Sequence, residues 1–116
     1  METQSKIPVT NCIYLKNNDF YCKYLYSDIL YIEASGSYCN VYSSPHSEKL
    51  VLSITLTELN EYLPSDIFIR THRTFIININ HIERIFGNTI YIDETVIPIG
   101  REYKKKIFSL LNIVGL

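Results

Sequence analysis

Residues 68–82, FIRTHRTFIININHI, set Arg70, His72 and Arg73 into a run that is otherwise rich in β-branched and aromatic residues. Those neighbours fit a pleated, half-buried surface, so strands are expected at 67–69 and 75–79 with the cations between them. Strands on both sides give the two arginines and the histidine a stiff mount. Little side-chain freedom then remains to be lost when an anionic ligand docks, which makes this the first place to look for function.

The same grammar extends toward the N-terminus. Short apolar or alternating runs occupy 12–16, 20–25, 29–34, 38–43 and 50–54, a pattern that reads as a meander of antiparallel strands. Turn residues bound them: Asn17-Asn18-Asp19, Ser27-Asp28, Ser35-Gly36-Ser37 and Ser44-Pro45-His46-Ser47. Thr55-Leu56-Thr57-Glu58 then fits a capping box, Leu56, Leu59 and Leu63 follow at helical spacing, and Pro64 ends a short helix. Beyond the opening segment, runs at 82–86, 89–92 and 96–99, with turns at Gly87-Asn88 and Asp93-Glu94-Thr95, read with 67–69 and 75–79 as a second β meander.

The chain closes on REYKKKIFSLLN, residues 101–112, where Tyr103, Ile107, Leu110 and Leu111 form one apolar stripe of a helix. Arg101, Lys104 and Lys105 share a different face. These cations cluster at the helix start, where the macrodipole disfavours them, behind a Gly100 that permits close approach. A solvated basic surface is the plain alternative to an anion-binding one.

Size and composition bound the possibilities. At 116 residues the chain is one domain, with residues 1–10 expected as a linker or disordered start and 11–116 as the folded unit. Hydrophobic residues make up 47% and charged ones 20%, which marks a globular chain, and ten Tyr and five Phe against four Gly favour strands over helices. Cys12, Cys22 and Cys39 match neither a zinc knuckle nor a CxxC pair, so buried reduced thiols are expected. No signal-like segment and no membrane-length apolar run is present, and the expected location is the cytoplasm. Net charge is −1, but residues 1–69 hold four Lys/Arg against eight Asp/Glu, while residues 70–116 hold seven against four. The basic C-terminal part is compatible with a local polyanion footprint.

In order, Asp28-Ile29-Leu30-Tyr31-Ile32-Glu33-Ala34, Gly36-Ser37-Tyr38, Thr55-Leu56-Thr57-Glu58-Leu59, Phe68 through Asn78, and Ile97-Pro98-Ile99-Gly100-Arg101-Glu102-Tyr103-Lys104 form a pattern that resembles the LytTR family over roughly residues 12–111. The resemblance implies a mostly β fold, an elongated arrangement of small antiparallel sheets with one short internal helix and a C-terminal helix. It further implies sequence-specific binding of double-stranded DNA in bacterial transcription regulation, as the output domain of a two-component response regulator that reads major grooves through loops. Direct-repeat sites are the expected targets, with dimerisation on DNA or through a receiver domain preceding this one in the full protein.

Carried over residue by residue, the resemblance places base contacts at Tyr38, His72, Arg73 and Arg101. Phosphate contacts are expected from groups that position without reading sequence: Arg70, Thr74, Lys104, Lys105 and, more weakly, Asn78. Arginine suits base reading, because its planar fork donates two hydrogen bonds to guanine O6 and N7. With ~3–5 phosphates neutralised, log affinity would fall against log salt with a slope of about −3 to −5. Each residue has a plain structural competitor. Tyr38 could pack on a neighbouring loop, His72 could bond backbone, Arg70 could pair with Asp66 or Glu83, and Asn78 could satisfy a strand end. Tyr31, Tyr91 and Phe86 read as core or sheet-face residues, and Glu33 as a strand-end charge.

The competing function is a β-rich protein–protein interaction module without DNA binding, docking a partner through edge strands and exposed tyrosines. An enzyme is not expected. There is no Gly-rich phosphate loop, nucleophile motif or metal-ligand cluster, His46, His72 and His81 lie in unrelated contexts, and no cofactor is implied.

Overall fold

The computed structural model describes residues 11–45 and 48–115, so the expected linker at 1–10, and His46 and Ser47 of the fourth turn, lie outside the described residues. The chain runs β1 Cys12–Asn17, β2 Phe20–Leu25, β3 Ile29–Ser35, β4 Tyr38–Ser43, β5 Glu48–Leu52, α1 Leu56–Asn60, β6 Phe68–His72, β7 Phe75–Asn78, β8 Arg84–Phe86, β9 Thr89–Ile92, β10 Thr95–Pro98 and α2 Arg101–Leu110. All strand pairs are antiparallel. The shape is elongated, 50 × 35 × 26 Å.

The strands sort differently from two consecutive meanders. β1 and β2 form a separate hairpin, β8–β10 form a three-stranded sheet, and the β6–β7 hairpin crosses over to join the first group, giving a five-stranded sheet ordered β5-β4-β3-β7-β6. Burial explains the crossover. Ile29, Leu30, Tyr31 and Ile32 are all buried, as are Ile76 and Ile77, so β3 and β7 need cover on both faces and belong at the sheet's centre. One face carries Ile32, Val41 and Ile76 against Leu15 of β1 and Leu56 and Leu59 of α1. The other carries Tyr31, Ile69 and Ile77 against Ile90, Ile92 and Ile97 of the third sheet and Ile107 of α2.

Local chemistry sets the connections. Thr55 caps α1: its hydroxyl accepts from the Glu58 amide while the Glu58 carboxylate accepts from the Thr55 amide, satisfying donors that a helix start leaves open. Asn18 and Asp93 sit at φ 59° and 55°, left-handed positions that their short polar side chains tolerate. Cys12 and Cys39 are buried, Cys22 is half-buried, and all three thiols are free. Phe86 lies not in the core but on the sheet, paired with Thr89 at the end of β8 and 76% exposed.

Candidate nucleic-acid interface

Three loops distant in sequence meet at one end of the central sheet. The first is the β3–β4 turn, Gly36-Ser37, in which Gly36 takes φ 61° and the closing pair is Ser35 and Tyr38. The second is the β6–β7 turn, Arg73-Thr74, closed by His72 and Phe75. The third is the start of α2, where Gly100 is the N-cap. Backbone hydrogen bonds join them: the Ala34 amide donates to the Thr74 carbonyl at 2.8 Å, and the Gly100 amide donates to the Thr71 carbonyl at 2.7 Å.

A bulge in β6 makes the second bond available. Arg70 pairs with Ile76 and His72 with Phe75, which leaves Thr71 as the extra residue, its carbonyl turned from the ladder toward α2. Thr71 is fully buried, and its hydroxyl has no hydrogen-bond partner among the described residues. The α2 approach is close. A Cβ on Gly100 would lie 3.0 Å from Tyr103 Cδ2 and 3.7 Å from His72 Cδ2.

The base-reading candidates lie in these loops. Tyr38 is 50% exposed at the start of β4. Arg73 and Arg101 are exposed, and neither guanidinium has a hydrogen-bond or ion-pair partner among the described residues. His72 is half-buried, edge-on to Phe75, and its Nδ1 receives the Thr74 amide at 3.2 Å with Thr74 Oγ1 at 2.8 Å. A backbone amide can only donate, so Nδ1 accepts and the ring proton sits on Nε2, the nitrogen left for an outside partner.

The phosphate candidates divide. Lys105 is exposed. Lys104 donates to Asn88 Oδ1 at 2.8 Å and lies 5.6 Å over the Phe108 ring, which still leaves ammonium hydrogens for an anion. Together with Arg101 these cations crowd the positive end of a ten-residue helix, an arrangement that an incoming phosphate would relieve. Thr74 is half-buried, its hydroxyl against His72.

Asn78 does not belong to this surface. It is fully buried, donates to the Tyr26 and Ile29 carbonyls at 2.9 Å each and accepts from the Asn80 amide at 2.9 Å, so it fastens the end of β7 and offers nothing to phosphate. Arg70 folds back over its own turn: its Nε donates to the His72 carbonyl at 3.0 Å, one terminal nitrogen to the Arg73 carbonyl at 2.5 Å, and the other to Thr57 Oγ1 at 3.4 Å. Those bonds take the place of the anticipated pairing with Asp66 or Glu83. Beside Tyr38, burial raises the Cys39 thiol above its ordinary range, with the Arg70 charge opposing, and Cys39 Sγ donates to the Ile54 carbonyl at 3.1 Å.

Sequence reasoning missed Asn88. Besides holding Lys104, its carbonyl accepts from the Ile99 amide at 2.8 Å, which fastens the β8–β9 turn to the approach of α2. The Gly87-Asn88 signal marks a turn but carries no information about a partner so far along the chain. Among the described residues no group of three or more His, Cys, Asp or Glu is placed to hold a metal ion, and no helix is long and apolar enough to cross a membrane.

Residues 19–112 match the family model described as LytTr DNA-binding domain. The sensory transduction protein LytT of Bacillus subtilis (strain 168) is 36% identical over 92 residues, which cover 74% of this chain and 37% of that protein. The transcriptional regulatory protein YpdB of Escherichia coli (strain K12) is 31% identical over 94 residues, covering 75% and 38%. The chain thus spans under two fifths of the length of these relatives. A solved LytTr DNA-binding domain from Bacillus cereus superposes with a TM-score of 0.75 at 27% identity, covering 90% of this chain and all of that one.

Proposed function

Because the chain belongs to the LytTR family of DNA-binding domains, whose work is DNA binding in transcription regulation, we propose that the three joined loops are its reading surface. Tyr38, His72, Arg73 and Arg101 meet base edges, with Arg73 and Arg101 as the guanine-reading forks, and Lys104, Lys105 and Thr74 hold phosphates. The observation that carries this reading is the pair of backbone hydrogen bonds, Ala34 to Thr74 and Gly100 to Thr71, which fix three separate loops in one frame. A frame of that kind presents its side chains without paying to order them on docking.

In the full protein the domain serves as the output of a two-component response regulator. Direct repeats recruit two copies, dimerised on DNA or through a receiver domain, with half-sites spaced in multiples of ~10–10.5 bp so that both copies lie on one side of the duplex.

The test is selection of bound duplexes from a random pool, followed by mobility shift on the recovered site and a scrambled version. Enrichment of a directly repeated motif bound in preference to the scrambled duplex is expected. Recovery of no motif, with equal affinity for both duplexes, refutes the reading. The rival interaction-module reading draws on the exposed Tyr14, Phe20, Tyr21 and Tyr62, with an apolar hollow of about 320 Å³ that Tyr14 and Tyr62 help to line. It predicts binding that ignores salt and Arg101.

A further inference from the structure

We propose that Arg70 is a positioning residue for DNA reading: folded back from β6, it clamps the His72–Arg73 turn so that the Arg73 side chain is aimed before DNA arrives. The inference rests on Arg73 being a base reader, as set out above. A cation on the β-strand leading into a DNA-facing turn would ordinarily be assigned to phosphate. The hydrogen bonds of Arg70 argue otherwise.

One planar guanidinium reaches the carbonyls of two consecutive residues, His72 at 3.0 Å and Arg73 at 2.5 Å, while its other terminal nitrogen touches Thr57 at 3.4 Å. Holding both carbonyls fixes the peptide planes on either side of the Arg73 Cα, and with them the direction in which that side chain leaves the turn. The Thr57 contact references the turn to α1. The bulge supplies the need for such a clamp, because Arg70 and His72 flank an unpaired residue where the ladder no longer dictates the turn's orientation. The surroundings agree: Arg70 is half-buried and close enough to the fully buried Cys39 to act on its thiol, whereas the Arg73 side chain is exposed and its guanidinium has no hydrogen-bond or ion-pair partner among the described residues. Lysine, a compact point charge without a rigid fork, cannot reproduce the paired carbonyl contacts.

The test uses the whole domain with a duplex selected by the wild type and a scrambled duplex, across a salt series. Arg70→Lys keeps the charge and loses the clamp, so its preference for the selected duplex is expected to fall about tenfold or more, comparable to losing one well-aimed base contact, while its salt slope stays at the wild-type value. Arg70→Gln is expected to lose the same preference without the drop of ~0.9 in slope that accompanies one lost phosphate contact. Arg70→Lys binding like wild type, together with a slope lowered by ~0.9 in Arg70→Gln, overturns the proposal and makes Arg70 a phosphate anchor. If Arg73→Ala keeps full preference, the base-reading assignment and the clamp fall together; if Arg73→Ala loses preference and Arg70→Lys does not, the clamp alone falls. A measurement on the unmodified domain does not depend on how the variants fold. The Arg70 Nε–H resonance should exchange slowly in the free protein and keep its shift when duplex is added; appearance only on adding DNA overturns the proposal.

Discussion

Replacing Asn78 by alanine separates a structural asparagine from a DNA-contacting one. The side chain is fully buried and makes three hydrogen bonds, to the Tyr26 carbonyl, the Ile29 carbonyl and the Asn80 amide. The bond to Ile29 is buried, so its loss strands an acceptor away from water at a cost of about 1–3 kcal/mol. The bonds to Tyr26 and Asn80 are partly open to solvent, and water recovers much of each, leaving ~0.5–1 kcal/mol apiece. The sum is about 2–5 kcal/mol, which at roughly 4 °C per kcal/mol for a domain of this size lowers Tm by roughly 8–20 °C. Asn78→Asp should cost at least as much, because it puts a carboxylate against two carbonyl oxygens in a buried site. Thermal melts followed by circular dichroism measure the loss, and binding assayed in the cold, where the variant remains folded, should keep the wild-type salt slope. An Asn78→Ala protein that melts within a few degrees of wild type but binds every duplex more weakly would refute this account of the residue.

Arg73→Ala and Arg101→Ala should each reduce affinity for the selected site by the ~1–3 kcal/mol of a bidentate base contact, with no change in Tm, since both side chains are exposed; anisotropy titrations beside melts check this. Lys105→Gln should weaken all duplexes alike and reduce the magnitude of the salt slope by ~0.9, read from titrations at several salt concentrations. Thr71→Val should be neutral or raise stability by up to ~1 kcal/mol, because it removes a buried hydroxyl that has no partner among the described residues; urea denaturation measures it. Burial raises the phenols of Tyr24, Tyr26 and Tyr42 above their ordinary range, with like charge from Cys22 and Glu48, Cys12, and Tyr31 and Glu33 respectively as lesser causes. Their folded values exceed the unfolded value of about 10, so this contribution to stability is complete below that pH and is lost as pH rises through the folded values, which melts in alkaline buffers should show.

Local structure was largely legible. β2, β4 and β9 begin and end where their turn residues put them, because Asn18 and Gly36 occupy left-handed positions that few other residues accept. The α1 cap is likewise written in Thr55 and Glu58. Pairing across the chain was not. Nothing between residues 54 and 67 announces that β6 and β7 return to β3, although the unbroken apolar run Ile29-Leu30-Tyr31-Ile32 already marks a strand covered on both faces.

The site shows the same division. The resemblance and the chemistry of the guanidinium fork single out Arg73 and Arg101, and both side chains stand exposed. For Asn78 a strand-end role is among the readings, but the carbonyls that hold Arg70 and Asn78 could not be named, since they come from turn geometry and from a strand 49 residues away. A strand residue that folds back over its own turn leaves no periodic trace in sequence.

Amide chemical-shift mapping of the labelled domain with its selected duplex tests the reading surface most directly. The largest shifts are expected at Ser37, Tyr38, His72 through Thr74 and Arg101 through Lys105, diminishing together as salt is raised. Shifts confined to Tyr14, Phe20, Tyr21 and Tyr62, or spread evenly over the domain and indifferent to salt, would contradict it.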